Sequence, residues 1–311
     1  MIDKESDFEE LLESAYKHTI DEVGLEKIKP SLKMQYDVIQ KAHNSIHEFM
    51  FLATRLVPTE VNDDEGWHGK SAFLIYHLEV FNYAHRSVVE ALCAYYNVAF
   101  VLLRVTLELL IKGAFWECLS HKKFREKSKV LDQDKRGKKI KDWLNEVFKS
   151  DPNIEIEFER ISGSIYDKIS PIAADPKFRL DIKTIIQQLD QWEIFNPVID
   201  PTISIYKMYY QLSLDVHIIP DRTDFGKRLL NESNEIFDQT VSQKDLSEYI
   251  DLLHQIMDLA ILIELNIFKD NIENYDEVKT NLRKELENLE QLGLNYSLKK
   301  SKELLNSRII P

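Results

Sequence analysis

The chain of 311 residues is short of what other fold classes depend on: it has 8 glycines, 9 prolines and 2 cysteines. So few turn-formers argue against a protein rich in sheets, while Leu, Ile, Glu and Lys, which suit helices, are abundant. Cys93 and Cys118 lie 25 positions apart on one expected helix. They cannot bridge within it, and two buried, reduced thiols are the expectation, as in a cytoplasmic protein. Long apolar runs are missing too. The uncharged stretch 91–103 has 13 residues, against about 20 for a membrane span. The first residues, MIDKESDFEELLES, are acidic and polar and do not read as a secretion signal. The expectation is a cytoplasmic location and no membrane contact.

Familiar catalytic patterns are also lacking. There is no GxxxxGK[ST] loop, no GxGxxG, no GxSxG, no HExxH and no CxxC, which argues against nucleotide-loop, nucleophile-elbow and common zinc chemistries. Of the 9 histidines only His68 follows a Glu, Glu65, by three positions, so the two Glu-x-x-His pairs that helical di-iron proteins use are missing. No metal site and no cofactor are expected. His77 and His85 read as core or interface histidines.

Acidic residues outnumber basic ones, giving a net charge of −13, which disfavours general nucleic-acid affinity. The distribution is uneven, however. Residues 121–141 hold ten Lys or Arg against three acids, or +7 locally, leaving −20 elsewhere. A basic patch on an acidic protein can still meet phosphate, and Lys122, Lys123, Arg125, Lys135, Arg136, Lys138 and Lys139 are the candidate nucleic-acid ligands.

What the sequence does contain is helical periodicity almost throughout. The spacing of apolar residues predicts helices near 5–20, 32–56, 71–90, 93–120, 154–169, 178–193, 201–217 and 223–233. Another ends near residue 268, and one begins at 276. A loop is expected around 132–137, followed by a helix through Trp143 and Phe148. The fold class is all-α: a multi-helix bundle with additional N- and C-terminal helices. Residues 1–66 form an N-terminal helical segment, 67–275 the core, and 276–311 C-terminal amphipathic helices. The 93–120 helix should be central, with the 201–217 helix packed beside it.

Two constellations could carry chemistry. Of the residues 91–119, 22 of 29 are apolar. At about 100° per residue, Asn97, Arg104, Glu108 and Lys112 fall within an arc of roughly 80°. A helix apolar nearly all round is buried, so these charges either satisfy one another in a core or line a pocket. The second constellation is at 205–224, where Tyr206, Tyr210, Ser213 and His217 are spaced 4, 3 and 4 and are expected to share a face. Pro220 would leave His217 near a helix C-terminus, where its imidazole could act as a proton shuttle. Asp221, Arg222 and Asp224 follow as a cap or as further site residues.

Arg104-x-x-x-Glu108 within LLRVTLELLIKG and Tyr209-x-x-x-Ser213-x-x-x-His217 within YYQLSLDVH together resemble a group of prokaryotic helical proteins related to the HEPN (higher eukaryote and prokaryote nucleotide-binding) superfamily. The resemblance covers residues 70–270. It implies a helical fold and a nucleic-acid-processing or defence-associated role, including metal-independent ribonuclease activity, with RNA as partner. The superfamily's nuclease signature, R-x(4–6)-H on one helix, is not present. Arg104 and His217 would have to meet across two helices, with Arg104 on phosphate charge, His217 moving the proton, and Ser213 and Glu108 orienting the site. The alternative is a non-catalytic scaffold that meets a partner protein or a second copy through its terminal helices. A third is ligand or nucleotide sensing in a pocket beside Arg104.

Overall fold

The structure, a computed structural model, describes residues 11–15, 17, 24–59, 71–150, 175–216, 223–230 and 241–306. Fourteen α-helices lie wholly within these residues, with one turn of 3-10 helix at Pro176–Phe178 and no strand among them. The chain is all-α, as its composition predicts. Among the described residues no helix is long and apolar enough to cross a membrane. The expected helix at 154–169 lies outside the described residues, as does most of the one at 5–20.

Helix α2 (Tyr36–Arg55) corresponds to the helix expected over 32–56, and it is preceded by α1 (Leu25–Lys33), most of which lies where no helix was expected. Pro30 sits inside α1, and the chain turns at Met34 and Gln35. Next comes the antiparallel hairpin that organises the molecule, α3 (Ala72–Leu92) and α4 (Tyr96–Ser120). Ala94, at φ 61°, makes the left-handed turn between them, and Tyr95 N–H donates back to Glu90 O at 2.8 Å. The two helices pack very closely: a Cβ on Gly113 would come 2.6 Å from the Cβ of Tyr76.

The open end of the hairpin is fastened by a buried carboxylate. Glu117, near the end of α4, accepts from Ser71 Oγ at 3.0 Å and from Phe73 N–H at 3.1 Å. An anion there satisfies orphan donors of α3 and meets the positive end of its dipole.

Short helices α5 (Lys122–Arg125) and α6 (Lys129–Gln133) lead to α7 (Lys135–Ser150). The expected loop at 132–137 shrinks to a turn at Asp134, whose carboxylate accepts from the N–H groups of Arg136 and Gly137, each at 2.8 Å. Gln188 and Gln191 of α8 (Ile182–Gln191) cap α6, accepting from Leu131 and Val130 N–H. Helix α9 (Pro201–Val216) packs against α4 and α8, as expected for the 201–217 segment, and α10 (Asp224–Leu230) follows.

The centre is shared by two helices rather than held by one. Helix α11 (Gln243–Ile267) packs on α2, α4 and α14 and contributes as many buried residues as α4, including Ile256, Met257, Ala260, Ile261 and Leu262 at 0% exposure. After α12 (Lys269–Asn274), helix α13 (Asp276–Leu292) lays Val278, Leu282 and Leu289 against α2 and α14, all fully buried. Gly293, at φ 68°, ends α13 in the conformation that glycine adopts without strain. Helix α14 (Asn295–Asn306) is held by Asp258 of α11, which accepts from Tyr296 N–H at 3.0 Å and Ser297 N–H at 2.9 Å. One contiguous apolar core therefore runs from Ile28 to Leu304.

Candidate functional site

The polar stripe of α4 meets α9. Arg104 Nε donates to Ser213 Oγ at 3.1 Å, and its Nη2 donates to Tyr209 OH at 2.7 Å. Its guanidinium carbon lies 5.0 Å from the centre of the Tyr209 ring. Ser213 Oγ in turn donates to Tyr209 O at 2.7 Å. On the α4 side, Glu108 lies 3.6 Å from Arg104 Nη2 and accepts from Lys112 Nζ at 2.6 Å. The stripe is neither fully buried nor open: Arg104 is 24% exposed, Glu108 18% and Lys112 31%. Partial burial strengthens these charged bonds over surface pairs without the full desolvation cost of a dry core.

Arg104, Glu108 and Ser213 are thus brought together across two helices. His217 lies outside the described residues, as do Asp221 and Arg222. The face of α9 differs from the expectation in one respect. Tyr209 and Tyr206, stacked with ring centres 6.4 Å apart, lie with Ser213, whereas Tyr210 is 58% exposed and points away. A spacing of 4 and 3 admits either tyrosine register, and only the helix phase against α4 decides it. Asn97, at the start of the stripe, donates its backbone N–H to Asp224 at 3.2 Å. At the other end, Lys112 lines a groove of about 370 Å³ with Tyr76, Trp116, Phe178 and Arg179.

The basic segment spreads over α5, α6 and α7. Lys122, Lys123, Lys135, Arg136, Lys138 and Lys139 are exposed. Lys123 pairs with Asp270, and Arg136 donates to Arg179 O at 2.7 Å. Arg125 is only 4% exposed. It donates to Ser120 O and Leu119 O at the end of α4 and stacks 3.9 Å over Phe148. A cation there opposes the negative end of the α4 dipole, so this guanidinium serves the fold even while it borders a groove of about 560 Å³ with Lys122, Lys141 and Lys149.

Two further polar clusters lie away from the stripe. His77 is buried as expected, with Nε2 3.0 Å from Glu264 and 3.1 Å from Phe49 O. Burial, reinforced by nearby Glu48, holds the Glu264 carboxyl well above the usual range. Burial and then Glu285 push Glu48 up to about 7, against the pull of Arg55. His85 instead joins His43 and His47. Burial first, and neighbouring imidazoles second, push the pKa values of His47 and His85 down. The His43–His47 pair is legible in the sequence as two histidines one helical turn apart, but its meeting with His85 depends on how α2 packs against α3. Of the two thiols, Cys118 is buried and Cys93 half-buried, and both are free. Compared with family models, curated proteins and solved structures, the chain matches none of them.

Proposed function

We propose that this chain is a HEPN-like nucleic-acid-processing protein that cleaves RNA without a metal ion. The observation that carries the reading is the 3.1 Å bond between Arg104 and Ser213, which ties together the two helices bearing the paired motifs. His217 follows Ser213 by four residues in sequence. In the proposed reaction the ribose 2′-oxygen attacks the adjacent phosphorus as the bond to the 5′-oxygen breaks. His217 takes the 2′-hydroxyl proton and returns it to the leaving oxygen. Arg104 faces the charge that grows on the phosphoryl oxygens, while Ser213 and Glu108 fix its direction. The exposed lysines of α5 and α7, with Arg136, hold the RNA backbone.

The test is cleavage of mixed-sequence RNA in the presence of a chelator, comparing wild type with Arg104→Ala, Ser213→Ala and His217→Ala. The expected products end in a 2′,3′-cyclic phosphate and a free 5′-hydroxyl, and they disappear in folded Arg104→Ala and His217→Ala. Unchanged cleavage by those folded variants, or no cleavage by wild type, overturns the reading.

A second reading is favoured by the same guanidinium. Arg104 already bonds Tyr209 and Ser213 and neighbours Glu108, as a lock between α4 and α9 would. A scaffold built on that lock loses stability in Arg104→Ala without any change in RNA handling. Docking through α13 is the weaker form of this reading, because Val278, Leu282 and Leu289 are already covered by the chain's own core.

A further inference from the structure

His43 and His47 stand one turn apart on α2, and His85 comes from the facing side of α3. The three rings form a nearly regular triangle, with centroids 4.7, 4.8 and 5.1 Å apart. One nitrogen from each lies within 4.8 Å of the other two. His47 Nε2 and His85 Nε2 are already 3.2 Å apart. A tetrahedral zinc ion with Zn–N bonds of about 2.0–2.1 Å sets its ligand nitrogens roughly 3.3 Å from one another. One edge of the triangle therefore has the required length, and the others, within 4.8 Å, would close on the ion by turning the His43 ring.

We propose that His43, His47 and His85 form a binding site for one divalent transition-metal ion, with zinc as the fitting case and a fourth position left to water. Three features of the surroundings support this. Among the described residues, this is the one group of three or more His, Cys, Asp or Glu side chains close enough to share an ion. The three histidines are half-buried rather than sealed, and His47 borders a groove of about 470 Å³ through which an ion and its water can enter. Phenyl rings flank the cluster: Phe81 packs edge-on against His47 and His85, with centroids 5.9 and 4.3 Å away, and Phe51 lies 6.2 Å from His47, while the groove itself is lined by polar groups such as Asp37 and Asn44. The phenyl rings limit how far the imidazoles can turn.

Three neutral imidazoles suit zinc and its neighbours in the first transition row better than the oxygen-seeking Ca²⁺ or Mg²⁺. Three protein ligands plus an open position is also the coordination found where zinc activates water. Because α2 and α3 contribute two ligands and one, a bound ion would cross-link the first long helix to the central hairpin. The proposal does not depend on the Arg104 cluster, and its failure would leave the RNA reading untouched.

The experiment uses the full, tag-free chain stripped with a chelator and then titrated with Zn²⁺ against a competing indicator. The expected result is one zinc per chain and a rise in melting temperature on binding. His43→Ala, His47→Ala and His85→Ala each weaken binding by roughly a hundredfold or more, since even outer-shell changes cost 10–100-fold. His121→Ala and His254→Ala do not. Should an alanine variant fail to fold, Co²⁺ bound to wild type supplies a second readout, with the intense visible bands of a four-coordinate nitrogen site expected. Absence of stoichiometric binding to folded wild type, binding that survives in folded triad variants, or only the weak bands of six-coordinate Co²⁺ overturns the proposal.

Discussion

Replacing Arg104 by alanine tests the bond set that joins α4 to α9. The side chain makes two hydrogen bonds, to Tyr209 OH at 2.7 Å and to Ser213 Oγ at 3.1 Å. Bonds to a charged group are worth about 1.5–3 kcal/mol each, and the cation over the Tyr209 ring adds about 0.5–1 kcal/mol. Two things hold the total down. The guanidinium is 24% exposed, so water recovers part of the loss. Glu108 keeps Lys112 at 2.6 Å, so no carboxylate is left unpaired, and the 3–5 kcal/mol typical of a broken buried pair does not apply. We therefore expect a loss of about 3 kcal/mol, measured by urea unfolding with linear extrapolation. Double-mutant cycles should give coupling energies of about 1–2 kcal/mol for Arg104 with Tyr209→Phe, and about 1 kcal/mol with Ser213→Ala. Arg104→Lys should recover no more than one of the two bonds, because a single ammonium lacks the fork that reaches both partners. A loss below about 1 kcal/mol, or couplings within about 0.5 kcal/mol of zero, would refute the claim that this contact holds the helices together.

The sequence foretold the stripe because its geometry is local. Residues 104, 108 and 112 share a face of any α-helix, and their charges on an apolar background mark that face as unusual. Ser213 could be picked out as a partner because it recurs at helical spacing within its own segment. Tyr209 could not be told from Tyr210 by spacing, since the choice depends on how α9 is rotated against α4. Glu117 lies on the same helix but away from the stripe. Apart from His121, one turn on, its partners Ser71 and Phe73 are more than 40 positions earlier. Periodicity within one element cannot reveal a contact made by folding the hairpin back on itself.

Arg125 illustrates the opposite difficulty. Its basic neighbours made it look like surface charge, yet it is the member of that run folded under α4 to meet the Ser120 and Leu119 carbonyls. Composition averages over a segment and cannot single out the residue that turns inward. The break at Met34 and Gln35 was hidden for a related reason. Apolar residues continue at helical spacing across it, so the pattern reads as one helix where the backbone makes two.

Asp258→Ala should cost about 2–3 kcal/mol, because it removes the acceptor for two backbone donors at the start of α14 and leaves Ser297 buried beside the gap. Hydrogen exchange should quicken first in residues 295–306, and protection there equal to wild type would contradict the capping role. A pH effect is expected where Glu48, Glu285 and Glu264 approach one another beside His77 and Arg55. Glu48 holds its proton up to about 7 in the folded chain, against an ordinary value of 4.5. Between these two values the folded chain binds more proton than the unfolded one, so stability contributed by this group is full below the lower value and is lost as pH rises through the upper. At about 1.36 kcal/mol per pKa unit the whole shift corresponds to about 3 kcal/mol, and partial access to water reduces the expected loss to about 2 kcal/mol. His47 and His85, whose pKa values are lowered, act in the opposite sense: stability they remove in acid returns as pH rises. Wild type alone therefore shows a sum of opposed slopes, and the informative quantity is its difference from Glu48→Gln. That difference, measured by urea unfolding at pH 5 and pH 8, should favour wild type at the lower pH by about 2 kcal/mol more than at the higher. Equal differences at the two pH values would mean that Glu48 is ionised throughout, and that the carboxyl cluster is held by Arg55 rather than by a shared proton.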